Sequence, residues 1–218
     1  MSLAWVPTDP SEMEKPNQAQ SIETDPYEAD MEHLLREIRA EFPQFRIVPK
    51  RGNGLSCAID RVLRMVTLGA QHEYMTRYHT VLGNTLYVPD AWSTTPCIDR
   101  IITLRHERVH LRQRRRYGDV LLSFLYLIPF FPLGLAYGRA RLEWEAYAES
   151  VRAMAELKGI DHARSASVKA HVVEQFASGA YGWMWPFRSR VETWYTDLLS
   201  TLENASPAGE EPNPEGER

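Results

Sequence analysis

The amino-acid sequence predicts an α+β domain that is mostly helical, with a small antiparallel sheet or hairpin ahead of its most highly charged helix. Apolar residues recur at helical spacing in several long segments, and two β-rich runs flank Gly83-Asn84, a pair suited to a tight turn. The 218 residues are 44% hydrophobic and 25% charged, the balance of one globular domain with a core of useful size.

Residues 1–28 are rich in Pro, Glu, Asp, Ser and Gln with little aliphatic periodicity, so burial cannot offset the entropy of ordering them, and they read as a tail. The domain spans 29–203. Its opening stretch, EADMEHLLREIRAEF, sets Met31, Leu34, Leu35 and Ile38 on one stripe of an amphipathic helix that stops before Pro43. FRIVPK reads as a short strand and MTRYHTVLGNTLYVPDAW as the hairpin, ended by Pro89. From Pro96 the period turns helical: Ile98, Ile101, Ile102 and Val109 fall at helical spacing, and Gly118 is the stop after Tyr117. An uncharged apolar run covers 120–137. Further helices are expected at about 139–158, 165–178 and 187–202, with the aromatic connector YGWMWPF between the last two. Trp194, Tyr195 and the connector aromatics belong mostly to the core. Residues 204–218 form a second, acidic disordered tail, and no internal repeat is present.

A net charge of −4 gives no global reason to expect nucleic acid as a partner, so any basic function must be local. Cys57 and Cys97 are too few for a disulfide scaffold and lack zinc-knuckle spacing; a reducing compartment is the simpler assumption, with a single bridge between them as the alternative. The N-terminus lacks the basic start and apolar run of a secretory signal, which points to the cytoplasm or the cytoplasmic face of a membrane.

The chemistry concentrates in LRHERVHLRQRRRYG, residues 104–118. His106 and His110 stand four residues apart, about 40° in azimuth and about 6 Å along a helix axis, so both rings can reach one ion. Glu107 is the next residue round, where its carboxylate can touch a water on that ion without displacing it. Ile102, His106, His110, Gln113 and Tyr117 form one stripe, and Arg105, Arg108, Arg112 and Arg116 form another. The histidine face is thereby free to point inward, while the arginines suit a solvated or lipid-headgroup-facing surface. A zinc site of this H-E-x-x-H kind needs a third protein ligand and an open fourth position. Glu143 and Glu145 compete for that role in RARLEWEAYAESVRAMAELKG. Helical phase puts Glu143 with Ala146, Tyr147, Ser150, Val151, Met154 and Leu157, and Glu145 with Glu149, Arg152 and Glu156. A lone carboxylate on an apolar stripe is costly to bury unless it meets a cation, whether a metal ion or an arginine such as Arg141, or else snorkels from the stripe's edge.

HERVH followed by the glutamate of EWEAYAES resembles the gluzincin branch of zinc metallopeptidases, whose second helix supplies a glutamate in an E-x-x-A context. The resemblance covers the motif helices and the preceding hairpin. It implies a zincin-like metallopeptidase domain, with Zn²⁺ held by His106, His110 and Glu143 and with Glu107 as general base. Many gluzincins carry Asp after that alanine, supporting a zinc-bound histidine from behind; this chain has Tyr147. Candidates to back a ligand or to stabilise an oxyanion are Tyr147, Tyr181 and Gln113. His162 and His171 are assigned no role. The resemblance also implies an extended peptide or protein substrate pairing with the edge of a small sheet, for which HTVLGNTLYVP is the best stretch.

The run VLLSFLYLIPFFPLGLAY is as long as a membrane span needs to be, yet a straight span would put His110 and Glu143 on opposite sides of about 30 Å of hydrocarbon. Ligand atoms must all lie about 2 Å from one ion, so the two readings exclude each other. Pro129, Pro132 and Gly134 interrupt the run and favour a hairpin whose ends return to one side. Arginines flank both ends, at 112–116 and at Arg139 and Arg141, which suits a monotopic hairpin dipping from the cytoplasmic face. A buried helix pair in a soluble core fits equally well. The competing functions are a non-enzymatic membrane-surface or nucleic-acid binder working through the arginine stripe, and an inactive zinc-binding relative.

Overall fold

A computed structural model describes residues 25–50, 79–118, 122, 136–178, 185 and 187–205. The expectations for both tails, for Cys57 and Tyr181, and for the apolar hairpin at 120–137 apart from a few of its residues lie outside the described residues.

Helix α1 runs over Glu28–Glu41 and buries Leu34 and Ile38, with Glu28 and Asp30 in its first turn and Arg39 in its last, charges that suit the helix dipole. Just ahead of it Asp25 accepts from the backbone N–H of Tyr27 at 3.0 Å and from that of Cys97 at 2.9 Å. Cys97 opens the next long helix, whose N-cap position is Pro96 and supplies no side-chain cap. Asp25 therefore does the capping from a distant segment and pins the starts of two helices together. Cys97 is buried and free, with Arg100 donating to its sulfur.

The sheet has three strands in the order β1, β3, β2, with β1 at Arg46–Pro49, β2 at Thr80–Leu82 and β3 at Thr85–Val88. β2 pairs antiparallel with β3, and β1 pairs parallel with β3, Arg46 opposite Thr85 and Pro49 opposite Val88. The sheet is thus mixed: the β2–β3 pair around Gly83-Asn84 is antiparallel, and β1 joins it in parallel. A parallel pair needs a crossover of a dozen residues or more, and residues 50–79 leave ample chain for one. Gly83 turns β2 into β3 at φ +65°, a conformation that favours glycine; a Cβ there would meet the Arg114 guanidinium at 3.1 Å, which that side chain could relieve by a small shift.

A 3-10 turn at Asp90–Thr94 leads into α2, Cys97–Tyr117, which Gly118 ends at φ +76° with its N–H bonded to the Arg114 carbonyl. Four helices follow: α3 at Ala136–Lys158, α4 at Ile160–Arg164, α5 at Ala166–Ala177 and α6 at Arg188–Ala205. α4 is too short to show a period in sequence; it is held by buried Ala163, whose carbonyl accepts from the Tyr195 hydroxyl. α2 and α3 lie antiparallel, since Lys158 at the end of α3 pairs with Asp99 at the start of α2 at 2.7 Å.

Two apolar cores form around this helix pair. One gathers Trp144, Tyr147, Val151 and Met154 of α3 with Val172 and Phe176 of α5 and Val191 and Tyr195 of α6. The other packs Leu34 and Ile38 of α1 and Leu86 and Val88 of β3 against Ile101, Leu104 and Leu111 of α2. Three of the four arginines of the stripe, Arg105, Arg108 and Arg112, are engaged by acids within the fold. Arg108, Arg112 and Arg115 all donate to Glu41, Arg108 also reaches Glu37, and Arg105 pairs with Glu149 and Glu156 of α3. Among the described residues no helix is long and apolar enough to cross a membrane.

Candidate metal centre

The seam between α2 and α3 carries the functional side chains. His106 and His110 turn inward with the rest of their stripe because the arginines that alternate with them are drawn outward to acids on α1 and α3. Glu143 comes from the apolar face of α3 and is fully buried. Each of the three offers a ligand atom, all within 4.8 Å of one another, and they are the one such group of His, Cys, Asp or Glu among the described residues. The two Nε2 atoms are 3.2 Å apart, and His110 Nε2 lies 3.6 Å from a Glu143 carboxylate oxygen.

The distal nitrogens are already engaged. His106 Nδ1 meets the Ser150 hydroxyl at 3.0 Å, and that hydroxyl donates to the Ala146 carbonyl, so it is the imidazole that supplies the hydrogen. His110 Nδ1 meets Gln113 Oε1 at 2.9 Å. With both Nδ1 atoms carrying hydrogens, the two Nε2 atoms and the Glu143 carboxylate converge on one small volume. Three potential ligand atoms in that arrangement could hold a cation, and two imidazoles with a carboxylate are a donor set suited to zinc and its neighbours.

Electrostatics follow from the same crowding. Burial drives the His106 imidazole down to about 3, and the proximity of His110 pushes the same way. For His110 burial is outweighed by Glu143, which holds its imidazole above the usual range. Burial resists ionisation of Glu143, but His110 and then His106 overcome it and keep the carboxyl at about 2. Glu107 behaves oppositely: burial lifts its carboxyl to about 7, His110 and Lys50 opposing and Glu143 assisting. It is fully buried, and neither of its oxygens has a hydrogen-bond partner among the described residues. A carboxyl buried on those terms is costly and stands ready to exchange a proton.

Of the other residues singled out from sequence, Gln113 is in the centre, Tyr147 lays its ring edge-on against His106 at 5.0 Å, and Tyr181 lies outside the described residues. Glu145 is exposed on the opposite face, yet it reaches the Gln113 amide. His162 is exposed on α4 and His171 half-buried on α5; neither joins the group.

Three residues went unnoticed. Ser150 had a legible signal, a hydroxyl two turns past Glu143 on the same apolar stripe. Lys50, whose side chain is buried and whose charge is felt at Glu107, and His79, fully buried edge-to-face on Trp92 and felt at His106, had none, because strand residues far apart in sequence meet a helix only through the sheet. Comparison with family models, with curated proteins and with solved structures finds no match to the chain.

Proposed function

We propose that the protein is a zinc-dependent peptidase of gluzincin type on a zincin-like fold, with His106, His110 and Glu143 holding the metal and Glu107 acting as general base. The observation that carries this reading is the convergence of those three ligand atoms within 4.8 Å, buried, beside a carboxyl that has no other partner among the described residues. A bound zinc ion supplies Lewis acidity to a scissile carbonyl and lowers the pKa of a water. Glu107 takes the proton of an attacking water on a carboxylate oxygen and returns it to the leaving amine nitrogen; a carboxyl near 7 is matched to both transfers. Bulk water is kept from these steps by the apolar cores on either side of the seam.

An extended peptide would pair along β2, which lies at one edge of the sheet and begins at Thr80, directly after His79. Attachment to a cytoplasmic membrane face belongs to the same proposal. Tyr137, the last residue of the apolar run, and Phe187 are 43% and 60% exposed, and both lean on the Trp185 ring. The ion pairs that occupy Arg105, Arg108, Arg112 and Arg115 do not favour the alternative of a binder working through the arginine stripe.

Elemental analysis of purified protein is the direct test. Wild-type chain should hold one zinc per molecule and Glu143→Ala should lose it. Wild-type protein free of metal after zinc loading would end the reading. A zinc-loaded wild type that cleaves no peptide in a broad library would leave a metal-binding, inactive relative.

A further inference from the structure

We propose that Gln113 is the positioning residue of the metal centre, one amide that selects which nitrogen of His110 faces the ion and also fixes the segment of α3 that carries Glu143. The inference rests on the metal-site reading above. Gln113 is only 4% exposed. Its Nε2 has two acceptors, the Leu142 carbonyl at 2.9 Å and a Glu145 carboxylate oxygen at 2.9 Å. Carbonyl and carboxylate oxygens only accept, so the amide nitrogen must be the atom pointing at α3, and the orientation of the group is determined. Its oxygen then faces His110 Nδ1 at 2.9 Å. An amide oxygen also only accepts, which places a hydrogen on Nδ1 and makes Nε2 the nitrogen that faces His106 and Glu143.

Leu142 immediately precedes Glu143. The same amide that fixes the His110 tautomer is therefore anchored to the backbone beside the third ligand, and it sits on α2 less than one turn past the second histidine. Ligands contributed by two helices are tied through a single side chain. Glu145 polarises the amide from behind, giving an imidazole–amide–carboxylate relay in place of a carboxylate directly on the ring. Outer partners of this kind set ligand orientation and basicity, and their removal typically costs about 10–100-fold in metal affinity.

The test is a zinc affinity measurement on the full chain by competition with a chromophoric chelator, with thermal unfolding of the metal-free proteins run alongside. Gln113→Leu, which keeps bulk but removes all three hydrogen bonds, should weaken zinc binding about 10–100-fold. The exchange Gln113→Glu with Glu145→Gln restores an acceptor for the Nδ1 hydrogen and keeps an amide–carboxylate pair, with the donor now on α3. It should recover most of the affinity lost in Gln113→Leu, short of wild type by the share that the missing bond to Leu142 carries. Wild-type affinity in Gln113→Leu would overturn the proposal. So would an exchange variant as weak as Gln113→Leu, since the acceptor for His110 is present in one and missing in the other. A wild-type chain that takes up no zinc would bring down the metal-site reading itself, a result distinct from either.

Discussion

Glu107 is the residue where stability and the proposed activity would pull in opposite directions. Its carboxyl is fully buried, its oxygens have no hydrogen-bond partner among the described residues, and burial has raised it to about 7. Such a group is kept at the expense of the fold. Replacing it with an apolar side chain of similar length, Glu107→Met, should stabilise the metal-free protein by about 1–3 kcal/mol, read as a higher chemical-denaturation midpoint, while abolishing turnover. Glu107→Gln should retain zinc and lose about 10²–10⁴-fold in kcat, the size of a general-base contribution. Unchanged proteolysis in Glu107→Gln would show that another group moves the proton. Sequence made this residue legible because H-E-x-x-H is a local pattern that needs only one helix. Ser150 was half legible, as a polar member of an apolar stripe. His79 and Lys50 were not legible, because their approach to the seam depends on how strand ends meet α2, which no periodicity within either segment encodes.

At the scale of elements, the link between α1 and α2 is a single carboxylate shared by three guanidinium groups. Glu41 accepts from Arg108, Arg112 and Arg115, and Arg112 first, then Arg108, hold its carboxyl at about 2 against the opposing effect of burial. Its own side chain is 16% exposed, whereas Arg112 and Arg115 are half-exposed, so solvent screens part of the attraction. Glu41→Gln should cost about 1–3 kcal/mol. Because the folded-state value lies below the ordinary carboxylate value, the stabilisation is present in full above about pH 4.5 and disappears as pH falls toward about 2. Wild type and Glu41→Gln should therefore differ in unfolding midpoint at pH 7 and converge near pH 2 to 3; a constant difference across that range would mean Glu41 acts by packing and not by charge. The two stripes of α2 were legible from sequence, since inward histidines and outward arginines follow from 100° per residue. The partners of the arginines were not legible, because Glu37 and Glu41 precede them by a sheet and a turn. The same holds for the strand order: the hairpin signal at Gly83-Asn84 is local, whereas the parallel pairing of β1 onto β3 depends on a long crossover that leaves no pattern in either strand.

At the scale of the whole molecule, the candidate metal centre lies where two cores meet. α1, the sheet and one side of α2 make the first, and α3, α5 and α6 make the second, with Ile102 of α2 reaching into it. His106 and His110 belong to the helix of one core and Glu143 to the helix of the other, so an ion held by all three would bridge the halves. Without it, two imidazoles and a carboxylate face each other across the seam. Any ligand that binds the folded chain alone stabilises it by RT ln(1 + [L]/Kd), about 4 kcal/mol when free zinc is a thousandfold above Kd. For a domain of this size that corresponds to roughly 10 °C in Tm. Removing zinc with a chelator should lower the Tm of wild type by about that amount and leave Glu143→Ala unaffected, because that variant has already lost the bridge. The loss should be restored by adding zinc back, and both cores should respond together. Tryptophan fluorescence, dominated in the described residues by Trp144, Trp185 and Trp194 of the second core with Trp92 near the sheet, should melt in the same transition as far-UV circular dichroism. A wild-type melt identical with and without chelator, or two separated transitions in the zinc-loaded protein, would mean that no ion couples the halves.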